Sequence, residues 1–86
     1  MPPGAWRVHT SRQVLDRWAD RASYTPHRLV AYLEWVVART LNGPPEDAIR
    51  VFGEDELMLA DIPGTPLVVS FFVVVQDRMI IVKEIT

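Results

Sequence analysis

The chain has 86 residues, no cysteine and a formal net charge of −2. That length suits one domain (1–86) near the lower limit for forming a core, and the missing thiols exclude disulfides and thiolate metal sites. The charge also lacks the basic surplus with which nucleic-acid binders usually neutralise phosphates.

The charge is unevenly placed. Residues 1–45 carry six arginines against Asp16, Asp20 and Glu34, a balance of +3. Residues 46–86 carry Arg50, Arg78 and Lys83 against eight carboxylates, a balance of −5. Any contact with RNA or DNA is therefore expected on the first half. The opening Met1-Pro2-Pro3-Gly4-Ala5-Trp6 has no basic start leading into an apolar run, so no secretory signal is expected. The longest apolar run, Leu67 to Val75, is too short for a membrane-spanning helix. A cytoplasmic protein without membrane contact is the expectation.

Taken in order, residues 5–9 alternate apolar and polar and predict a short strand with Trp6 and Val8 facing inward. Thr10, with Gln13 three residues on, predicts a capping box and a helix from Ser11 to Ala22. Its buried stripe is Val14, Leu15, Trp18 and Ala22. Thr25 and Pro26 predict a second N-terminus, since proline at the first helical position gives up no hydrogen bond. Leu29, Val30, Tyr32, Leu33, Val36, Val37, Thr40 and Leu41 then recur at three- and four-residue spacing, until Asn42-Gly43 and Pro44-Pro45 stop the helix.

The remainder reads as β. Ile49–Phe52 is either a short strand or an extended lead-in, and Gly53-Glu54-Asp55-Glu56 is a polar turn. Leu57–Ile62 predicts a strand, followed by a type II turn at Ile62-Pro63-Gly64-Thr65. Residues 66–75 and 79–85 predict a hairpin around Gln76-Asp77-Arg78. That turn lacks Asn-Gly or Asp-Gly, which leaves its register open. The result is an α+β domain, β-α-α-β-β-β, with a helical hairpin packed on an antiparallel meander sheet.

The hairpin strands are apolar on both faces. Leu67, Val69, Phe71, Val73 and Val75 fall on one side, and Val68, Phe72 and Val74 on the other. In the last strand Met79, Ile81 and Ile85 face one way and Ile80 and Val82 the other. The helical hairpin covers one face, leaving about five large apolar side chains that are each worth roughly 1.5–3 kcal/mol when buried. Val68, Phe72, Val74, Ile80 and Val82 are therefore the candidate partner-binding residues, unless the chain curls over its own sheet.

Chemistry is harder to find. His9 and His27 lack ligand partners at helical spacing, so no metal site and no cofactor are expected. Glu46-Asp47 and Glu54-Asp55-Glu56 sit beside prolines and glycine and read as solvated loops. Arg50, Arg78 and Lys83 are the only cations of the β half and the only candidate catalytic residues, as stabilisers of charge in RNA cleavage. Trp6, Trp18 and Trp35 all fall on faces expected to be buried.

The ordering of these elements resembles the RelE/ParE-type toxins of bacterial toxin–antitoxin pairs. The similar pieces are Trp6-Arg7-Val8-His9 leading into a helix, a long second helix ending at Leu41-Asn42-Gly43-Pro44, and the closing hairpin of 66–75 and 79–85. The resemblance covers nearly the whole chain and rests on pattern. It implies a small cytoplasmic protein held by an antitoxin that covers apolar surface. RNA-cleaving members typically carry a basic residue early in the penultimate strand, where this chain has Leu67 and Val68. They often close the last strand with tyrosine or histidine, where it has Glu84-Ile85-Thr86. No catalytic residue is carried over. The expected function is thus toxin-like, through protein–protein contact. The alternatives are a non-toxic homodimeric interaction module and, more weakly, a ribonuclease.

Overall fold

The computed structural model describes residues 5–21, 24–51, 53 and 56–86. Strand β1 (Arg7–Thr10) leads into α1 (Arg12–Ala19) and α2 (Pro26–Asn42). Four strands follow: β2 (Ile49–Arg50), β3 (Leu57–Asp61), β4 (Val68–Val74) and β5 (Met79–Ile85). The helices pack on one five-stranded sheet of order β1-β5-β4-β3-β2, an α+β architecture.

Strands β2 to β5 pair antiparallel with their sequence neighbours, as a meander does. The sheet as a whole is mixed, because β1 lies parallel to β5 at the opposite edge from β2. The helical hairpin carries the chain across the sheet, so the first strand ends beside the last. Residues 49–52 resolve as a two-residue edge strand over Ile49–Arg50; Phe52 lies outside the described residues.

The caps explain the helix boundaries. Ser11, not Thr10, caps α1, accepting a hydrogen bond from the Val14 backbone N–H. Thr10 is occupied elsewhere: it pairs with Val82 in the sheet and its hydroxyl bonds the Tyr32 hydroxyl. Helix α1 runs to Ala19, and Ala22, expected in its stripe, lies outside the described residues. Helix α2 has the expected ends. Thr25 accepts from the Arg28 N–H, Pro26 takes the first position, and Gly43 terminates it at φ +77°.

Val14, Trp18, Tyr32 and Trp35 form the helical side of the core. Val69, Phe71, Ile80, Val82 and Ile85 form the sheet side, with Ile62 and Leu67 closing one end. An irregularity sets this grouping. Phe71 stands opposite Val82 and Ser70 opposite Glu84, which leaves Lys83 as a bulged extra residue. The bulge reverses the alternation, so Ile85 joins Ile80 and Val82 instead of Met79 and Ile81.

Helix α2 divides in two. Tyr32 and Trp35 are buried, while Val30, Leu33, Val37 and Leu41 are 54%, 52%, 57% and 74% exposed. The single periodic stripe expected from sequence is in fact two stripes on opposite sides of the helix.

Two stability outcomes follow from this packing. A Cβ at Gly43 would lie 2.7 Å from the Trp6 Nε1 in addition to the positive φ, whereas at Gly64 (also φ +77°) it would meet nothing within 4 Å. Gly64→Ala is expected to cost about 1 kcal/mol from backbone strain alone, and Gly43→Ala about 2–4 kcal/mol, measured by urea denaturation.

Burial raises the Tyr32 phenol above its usual 10.0, with the Thr10 hydrogen bond acting weakly in the other direction. A folded-state pKa raised above the unfolded one contributes stability fully present below pH 10 and lost as pH climbs through the folded value. Alkaline titration of the unfolding midpoint is therefore expected to fall above pH 10 in the native chain and to flatten in Tyr32→Phe.

Candidate partner-binding face

In an antiparallel pair, residues directly opposite share a face, and so do aligned residues of a parallel pair. Phe72 stands opposite Leu57 on one side and Ile81 on the other, with His9 beyond Ile81. Val74 and Met79 are paired in the next row, with Arg7 at its end. Ser70, Leu59 and Ile49 form a row toward the other end of the strands, and Val68 with Asp61 the last. These residues look away from the helices. Leu57 is buried yet stands apart from the helix-side core.

The outer face thus has an apolar centre with charge at its margins. Arg7 and His9 are exposed along the β1 edge. The Lys83 ammonium lies 5.8 Å from the centre of the Phe72 ring, close enough for a cation–π contact. Asp61 is exposed near the opposite edge. A shallow recess of about 160 Å³ opens between Ile49, Leu59 and Val68, with Asp61 at its rim. Val68, Phe72, Val74, Met79 and Ile81 are half-buried by their neighbours in the sheet, and Ile49 is exposed.

Three of the five residues expected to share this face do so: Val68, Phe72 and Val74. Ile80 and Val82 do not. They are 0% and 3% exposed beneath the helices, paired with Val73 and Phe71. The turn is the cause. A short 3₁₀ segment (Val75–Asp77) and a left-handed Arg78 place Met79 opposite Val74, so Met79 and Ile81 take the outer positions. Sequence alternation separates the two sets within β5 but does not say which set joins Phe72, so Met79 and Ile81 were missed; Leu57 and Leu59 were missed because no face was assigned to the 57–62 strand.

The cations of the β half are not brought together. Arg50 lies in the edge strand β2 in register with Met58, which packs toward the helix-side core. Lys83 lies over the outer face on β5, and Arg78 sits in the β4–β5 turn. With β3 and β4 between them, β2 and β5 are about 14 Å apart. Among the described residues, no three His, Asp or Glu side chains are grouped to hold a metal ion, and no helix is long and apolar enough to cross a membrane.

Comparison with known proteins adds no relative: no family model matches the chain, and no curated protein or solved structure does.

Proposed function

We propose that this chain is a toxin-like protein of the RelE/ParE kind that works in the bacterial cytoplasm through protein–protein contact, its outer sheet face docking an antitoxin-like segment. The observation that carries the reading is the apolar face centred on Phe72 and Ile81, which no described element covers. Such patches on small proteins mark sites of association. The order of elements supports the family resemblance: one strand, a helical hairpin, then consecutive antiparallel strands. The margin of Arg7, His9 and Lys83 suits a segment that sets carboxylates beside its apolar anchors. The recess between Ile49 and Val68 accepts one such anchor. The scatter of Arg50, Arg78 and Lys83 over different faces gives the ribonuclease alternative no comparable support.

Induced expression of the chain alone in a bacterium is expected to arrest growth, and co-expression of a small neighbouring gene product to relieve the arrest. Phe72→Glu is expected to weaken the purified complex by at least about 30-fold, the mark of a central anchor, without loss of helical signal. Unimpaired growth at high expression removes the toxin reading. Unchanged affinity in Phe72→Glu removes the outer face as the docking site.

A further inference from the structure

We draw no further inference here: the strongest candidate, the outward apolar stripe of Val30, Leu33, Val37 and Leu41 on α2, is an unpartnered helix face, and nothing in the structure shows what covers it.

Discussion

A run of aromatic rings holds the two layers together. Tyr24 meets Trp18 edge-on at 5.0 Å between centroids, Trp18 meets Tyr32 at 5.5 Å, Tyr32 stacks near Trp35 at 6.0 Å, and Trp35 reaches Phe71 of β4 at 5.9 Å. Each such pair contributes about 0.5–1.5 kcal/mol beyond the area it buries. More important here, the run sets the rotation of α2 about its own axis. The Tyr32 hydroxyl, bonded to Thr10 at the end of β1, adds a polar pin to the same alignment. Once Tyr32 and Trp35 point at the sheet, Val30, Leu33, Val37 and Leu41 must point away from it.

The same constraint acts on the sheet. With Phe71 under Trp35, Phe72 has to stand on the other face, and its neighbours Ile81 and Leu57 with it. A two-layer domain of this size has only one helical layer, and that layer is spent on Phe71, Ile80, Val82 and Ile85. Side chains of adjacent strands shelter one another on the outer face, so most are half-buried instead of fully wet. The chain thus offers two apolar surfaces on opposite sides, the outer face of the sheet and the outward stripe of α2.

Electrostatics between helix and sheet is modest. Arg21 reaches Glu84 at 2.6 Å, but both side chains are about 40% exposed, so the pair aligns α1 with β5 more than it stabilises the fold. Arg17 donates to the carbonyl of Lys83, the bulged residue. The bulge is thereby tied to α1, and it is also what returns Ile85 to the core.

Local signals were legible where a single residue type dictates a backbone geometry. Thr25-Pro26 opened α2 and Gly43 closed it, Pro63-Gly64 turned the chain with φ +77° at the glycine, and β4 and β5 fell where β-branched residues cluster. Relations between elements were not legible. The capping residue of α1 shifted to Ser11 because Thr10 was claimed by Tyr32, twenty-two residues away. Ile80 and Val82 went to the core, and Met79 and Ile81 to the outer face, because a 3₁₀ turn chose the register.

By itself the sequence determined the α+β class, the positions of the two helices and the fact that more apolar surface exists than one small core absorbs. Those properties follow from composition and from periodicities of two and 3.6, which depend only on near neighbours in the chain. Tertiary structure alone decided that β1 runs parallel to β5, which residues of β5 join Phe72, and that α2 carries one apolar stripe inward and another outward. Each of those is a relative placement of segments distant in sequence, set by packing and by the register of backbone hydrogen bonds, and no local pattern encodes it.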